Sequence, residues 1–305
     1  MHHYKAFGLN ILSEIELPEL SDGDAGVKHD LYIKSQPFDV PTLENTQLYR
    51  RGVRAGFAKD ADENLYLHWH NIASFKAMNG DCLVVNPLVD DGNLISLFTV
   101  SEALGLILFQ RGFFLLHASS VQVGNDGWCF MGTPGAGKST TAAAFVKAGC
   151  KLLSDDLTAI GFNDKGLAYI IPAYPQLKIW DETANGLQYE KSELQPVSEG
   201  VNKFSYQPKA GFVHEPVPLK EVFFLHKARN RKSLVPLSAA EIPTEMLKNF
   251  PLPNQLLTDD ILKRHFFQSF QCTRSARLWK KKRPDGFENL EKWVSESIPE
   301  QLIAG

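Results

Sequence analysis

Cysteine is scarce in this 305-residue chain. Its four residues, Cys82, Cys129, Cys150 and Cys272, lie far apart, with no C-x-x-C pair and no metal-ligand spacing. That excludes a disulfide scaffold and a zinc framework. Cys129 and Cys150 sit in apolar runs, where a free thiol behaves as a small hydrophobe, so reduced cytosolic thiols are expected. No charge of one sign dominates. Thirty-five acidic against 32 basic residues leave a formal net charge of -3, which excludes a protein built to coat nucleic acid or an anionic membrane. No long apolar run is unbroken. The longest, Ile95 to Val123, is interrupted by Glu102, Gln110, Arg111 and His117 and reads as a buried helix followed by a strand. The first thirty residues hold no apolar core of a signal peptide. Repeats and low-complexity segments are lacking, and 44% hydrophobic with 22% charged residues is ordinary globular composition. A cytoplasmic protein is expected, with neither nucleic acid nor membrane as partner.

What is present falls into two stretches. Residues 1–90 carry short strand signals divided by turns: Ile11 to Leu17, Leu31–Ile33, Leu65–Trp69 and Cys82–Val85. No catalytic cluster shows there, and 1–90 reads as a small β-rich module. Residues 91–305 open with apolar spacing suited to a helix from Leu94 to Gln110, then a strand Phe113–Leu116 ending at His117. Asn125-Asp126-Gly127 reads as a tight hairpin turn, and Trp128–Met131 as a short strand running into glycine. A helix over 139–148 closed by Gly149, then the strand Lys151–Ser154, completes a βαβ-like order. Further strands are expected at 157–162, 167–171 and 221–226, and helices at about 241–250 and 286–298.

Gly132-Thr133-Pro134-Gly135-Ala136-Gly137-Lys138-Ser139 fits GxxxxGK[ST] at every defined position, with Thr140 following. The glycines let successive backbone N–H groups face one anion, and the following helix directs its positive end at it. Lys138 would reach the β and γ phosphates, and the Ser139 hydroxyl would ligate Mg²⁺. Gly-rich turns before helices are common, but few match all four positions.

Asp155 and Asp156 follow an apolar strand, 17 residues after Lys138. Phosphoryl transfer uses one carboxylate for the metal and often a second for the attacking hydroxyl. The plain alternative is a cap or turn, which aspartate favours. His117 could equally be a hydrogen-bonded structural residue. Lys178 and Lys203 are candidate phosphate or acceptor contacts, against a solvated edge position. Lys280 to Arg283 reads as a solvated helix end or turn before Pro284, against a patch for an acidic peptide, and His68 with His70 as a histidine pair without a third ligand. Asn202-Lys203 is followed by Phe204-Ser205 and not by a guanine-reading aspartate, which favours ATP over GTP.

The segments LLHASSV, GTPGAGKS and KLLSDD, in this order, resemble the kinase domain of HPr kinase/phosphorylase. The run Pro172 to Trp180 and the opening Phe7-Gly8-Leu9 through Pro18-Glu19-Leu20 are similar to HPr-kinase-like serine kinases found beside peptide-modification genes, including kinases of lasso-peptide precursors. The resemblance covers residues 94–230 well and the remainder loosely. It implies an α/β fold, a P-loop kinase domain of the HPr kinase type with a mixed sheet, preceded by the β-rich module. It implies ATP and Mg²⁺ at the loop Gly132–Thr140, Asp155 as base toward an acceptor serine, Asp156 with Ser139 at the metal, and His117 beside the pair. Self-association is common in that family, so a homo-oligomer is a further expectation. The glycine-rich stretch tied to the family's phosphorylase reaction has no counterpart; Pro172 to Trp180 stands there. The expected activity is therefore forward phosphorylation of a serine-type hydroxyl on a peptide or protein. HPr itself, a hydroxyl metabolite as acceptor, and a non-catalytic ATP-sensing module are the alternatives.

Overall fold

The computed structural model describes residues 1–197, 202–208, 211–228 and 232–299. It is a mixed α/β protein with two compact units, Met1–Leu115 with Phe250–His265, and Leu116–Asn249 with Phe266–Gly305.

The first unit is built on a large mixed sheet. From one edge its strands are Ser21–Asp22, His2–Ala6, Leu9–Ser13, Leu31–Ser35 and Cys82–Pro87, then Ala73–Met78, Leu65–Trp69, Val53–Lys59 and Glu44–Arg50. Only the two pairings of Leu31–Ser35 are parallel. The strand signals at Leu31, Leu65 and Cys82 coincide with strands; His2–Ala6, Glu44–Arg50, Val53–Lys59 and Ala73–Met78 were not among them. Glu44–Arg50 buries only Thr46, so an edge strand of this kind carries almost no apolar period. Helices Gly92–Phe98 and Leu104–Gln110 lie on either side of a π turn at Thr99–Ala103. Thr99 and Ser101 donate back to the carbonyls of Ile95 and Leu97, at 2.7 and 2.9 Å, which loosens the regular ladder there. Leu104–Gln110 packs on Ala73–Met78 and Cys82–Pro87, and Trp69 meets Phe98 edge-on at 5.0 Å. The stretch Gly92–Gln110 is long and apolar enough to cross a membrane, yet most of it is buried here. A division at residue 90 and these units therefore differ: the helical run covers the first unit's sheet and belongs with it.

In the second unit, strand Asp126–Met131 pairs antiparallel with Ser119–Val123 and parallel with Val217–His226. Lys151–Ser154 is antiparallel to Ser119–Val123, and Arg277–Lys282 is parallel to Val217–His226. Four strands thus run the same way and end at one edge of the sheet. Ligands of open α/β sheets bind outside such carboxyl ends. A separate small sheet joins Leu177–Trp180, Lys203–Tyr206 and Leu194–Pro196. Helix Lys138–Lys147 buries Ala142, Ala143, Ala144 and Phe145. The small residues admit a close approach, and Phe145 meets Phe130 at 5.3 Å and Trp293 at 5.7 Å. This aromatic cluster fixes the strand before the loop against the helix after it.

Three expectations need correction. The hairpin turn is Gly124-Asn125, because Asp126 already pairs with Val123. Lys280–Lys282 is no solvated turn but part of strand Arg277–Lys282, held on both sides, by Val217–His226 and Leu234–Pro236. The sequence expectations also omit helix Asp259–Cys272, although its acidic start and the i, i+4 series Leu262, Phe266, Phe270 were readable. The helices expected near 241–250 and 286–298 are Ile242–Leu247 and Gly286–Ser297.

Candidate active site

Strand Asp126–Met131 delivers the chain into the glycine loop, and the loop into helix Lys138–Lys147. Gly132 has φ +142°, and a Cβ there would stand 2.7 Å from the Leu225 carbonyl oxygen. Gly137 caps the helix at φ +99° with no side-chain cap bond, so the first amides of the helix depend on no neighbouring side chain. The Lys138 ammonium donates to the Gly132 carbonyl at 2.9 Å, folding back across the loop. Burial lowers its pKa, while the negative charges of Asp156 and Asp155 pull the other way.

Asp155, 5% exposed, accepts on Oδ1 from Ser119 Oγ at 2.6 Å and from Ser139 Oγ at 2.9 Å. Its Oδ2 accepts from the Lys178 backbone N–H at 2.9 Å. Burial raises its pKa, the neighbouring Asp156 charge adds to this, and the Ser119 and Lys178 hydrogen bonds oppose it. Asp156 has left-handed backbone, φ +67°, a conformation aspartate tolerates better than most residues. Lys178, 4% exposed, brings its Nζ to 3.4 Å from Asp156 Oδ2. A lone lysine on a strand suggested a solvated edge; instead strand Leu177–Trp180 packs against the helix after the loop and buries it.

The loop and the strand ends enclose a cleft of about 390 Å³. Of the residues singled out from sequence, His117, Pro134, Gly135, Gly137, Lys138, Ser139, Thr140 and Asp156 line it. Gly132, Thr133, Ala136, Asp155, Lys178 and Lys203 do not; Asp155 sits behind Ser139, which it bonds. Three further contributors escaped sequence reading. Lys227 and Arg283, the first residues after the parallel strands Val217–His226 and Arg277–Lys282, both reach the cleft. Asn249 accepts from the Gly132 N–H at 3.1 Å, and its carbonyl accepts from the His117 N–H at 2.6 Å. One buried asparagine thereby ties the loop's first residue to the histidine. Trp180, 53% exposed, lines the rim with Lys203 over its ring at 5.5 Å.

Ser139 and Asp155 form a hydroxyl and carboxylate set that suits Mg²⁺, which keeps several waters and shares substrate phosphate oxygens. The His68–His70 pair is not part of such a site: His68 bonds Ser74 at 2.8 Å, and among the described residues no group of three or more His, Cys, Asp or Glu is placed to hold a metal.

No family model and no curated protein matches the chain. Among solved structures it is similar to the Hpr(Ser) kinase/phosphatase from Coxiella burnetii. The identity is 14% over 39% of this chain and 69% of that one, with a TM-score of 0.27. At that TM-score the likeness carries no argument; the residues of the cleft must.

Proposed function

We propose that this protein is an ATP- and Mg²⁺-dependent kinase that phosphorylates a serine-type hydroxyl on a peptide or protein. The supporting observation is the bond between Ser139 of the glycine loop and the buried Asp155, with Asp156, which lines the cleft, ion-paired to the buried Lys178. The loop amides would cradle the phosphates, and Lys138 would leave the Gly132 carbonyl for the β and γ oxygens. Held by Ser139 and Asp155, Mg²⁺ would neutralise charge on the transferring group. Asp156 would take the proton of the acceptor hydroxyl as its oxygen bonds phosphorus and the bond to the ADP oxygen breaks. Lys178, paired with Asp156 at 3.4 Å, would hold that carboxylate in place for the acceptor hydroxyl.

This exchanges the two aspartates relative to the roles implied by resemblance. Asp155 is buried behind Ser139, out of an acceptor's reach, whereas Asp156 lines the cleft. A peptide acceptor, of HPr or lasso-precursor type, is favoured over a metabolite because the rim beside Asp156 offers the exposed Trp180 ring and the Lys203 ammonium. Such a pair suits an extended chain better than a small enclosed substrate.

Intact-mass measurement tests this. HPr, serine-containing peptides and any precursor peptide encoded nearby would each be incubated with the protein, ATP and Mg²⁺. A mass gain of one phosphate, absent with Lys138→Ala, is the expected result. ATP binding with no phosphate gained by any acceptor would replace the kinase with a nucleotide sensor.

A further inference from the structure

The cleft has two ends, and only one holds the aspartates. The wall from Lys178 to Gly186 shows which is which. Lys178 Nζ lies 3.4 Å from Asp156, and Thr183 Oγ1 lies 3.0 Å from Thr140 Oγ1 in the first turn of the loop helix. Gly186 lies under the Phe287 ring, where a Cβ would come within 2.2 Å of a ring carbon. Along this wall the chain passes from the aspartates, over the helix start, to Phe287.

The sheet repeats the same polarity. Lys151–Ser154, which ends at the aspartates, lies on one side of the loop strand; Val217–His226 and Arg277–Lys282 lie on the other. Arg283 follows the last of these and crosses to the loop. A Cβ on Gly137 would stand 2.9 Å from its Cδ and 3.2 Å from Nε and from one terminal nitrogen. Its backbone N–H is anchored on the His226 carbonyl at 2.9 Å.

We infer that Arg283 and Phe287 form the subsite for the nucleoside of a nucleoside triphosphate, at the end of the cleft away from the aspartates. The inference rests on the phosphate-loop reading above. With the γ phosphate at Asp156, the rest of the nucleotide extends over Gly137 and Thr140 toward these two side chains. A guanidinium suits this place twice over, because it bonds phosphate through a fixed fork and stacks on a flat ring. The Phe287 ring packs against Gly186 and lines the cleft, where it would serve as a platform for a base.

Isothermal titration of the full chain with Mg²⁺–ATP and with Mg²⁺–tripolyphosphate tests it. Wild type should bind ATP roughly tenfold or more tighter than tripolyphosphate, the ratio set by one stacked base. Phe287→Leu, which keeps an apolar group on Gly186, should remove most of that ratio and leave tripolyphosphate affinity unchanged. Arg283→Gln should weaken ATP about tenfold, as loss of a charge-assisted fork does. Unaltered tripolyphosphate binding by Phe287→Leu also reports that the loop remains folded. Equal wild-type affinities for the two ligands would overturn the inference, as would ATP affinity left intact in both variants. If wild type bound neither ligand, the phosphate-loop reading would fail and take this subsite with it. If Lys138→Ala weakened both ligands while Phe287→Leu and Arg283→Gln changed neither, the loop reading would stand and the subsite alone would fall.

Discussion

In the first unit Glu102 faces Arg50 through a two-pronged contact, 3.0 Å from Nε and 2.9 Å from a terminal nitrogen. In the second, Asp155 is withdrawn from water among neutral donors, with a second carboxylate one residue away. Burial pushes both groups up. For Glu102 the Arg50 charge, together with hydrogen bonds from Arg50 and Ser101, outweighs burial and holds the carboxyl below its usual range, whereas for Asp155 the Asp156 charge adds to burial and the carboxyl stays raised. The first arrangement is complete as it stands. The second gathers two carboxylates with no ion pair on Asp155 among the described residues, an arrangement that costs stability.

The comparison is broken most sharply by removing each carboxylate. Asp156→Asn should lower turnover at least a thousandfold, on the order of the loss when a catalytic base is removed, with ATP affinity retained. Glu102→Gln should leave turnover per folded molecule unchanged and cost about 1.5–3 kcal/mol in denaturant unfolding, because it removes the charge from that two-pronged contact. Opposite outcomes, a silent Asp156→Asn or an inactive but stable Glu102→Gln, would undo the distinction.

His265 sharpens it further. It is buried between Phe114 and Phe250, and burial lowers its pKa to about 4. An unfolded histidine gains a proton near 6.5 while the folded one resists until about 4, so its contribution is intact above pH 6.5 and lost as pH falls from there toward 4. Up to about 3 kcal/mol of stability should disappear across that window and be retained in His265→Gln, read from urea midpoints at pH 7 and 4.5. A wild-type midpoint that does not move would refute this. The smallest effect is expected from Asn249→Ala, about 1–2 kcal/mol from the unsatisfied Gly132 N–H, with a raised KM for ATP. An unchanged KM would confine Asn249 to a structural role.

The loop, its helix and the aspartate pair were legible because each is a local pattern: glycines at fixed spacing, an apolar strand, two acids at its end. The sequence resemblance favoured Asp155 as base, and the choice between neighbours turned on burial, which depends on Ser119 and Ser139, far off along the chain. Lys178 was visible as a residue but not as a buried one, since the packing of its strand on the loop helix leaves no periodic trace. Arg283 was visible only as the end of a basic run, and Asn249 carried no signal at all. The bond from Gly132 to Asn249 spans 117 residues, and Arg283 comes to the loop only because three parallel strands align their ends.

That alignment sets an order of events during synthesis. On the ribosome, the glycine loop and both aspartates emerge early, but Asn249 and the strand Arg277–Lys282 follow more than a hundred residues behind the loop. Until residue 249 is clear of the exit tunnel the loop lacks the asparagine that fixes its first amide, and until residue 283 is clear it lacks the arginine that lies over Gly137. A nascent or prematurely terminated chain therefore carries the complete phosphate-loop signature without the two distant side chains that meet the loop in the folded protein.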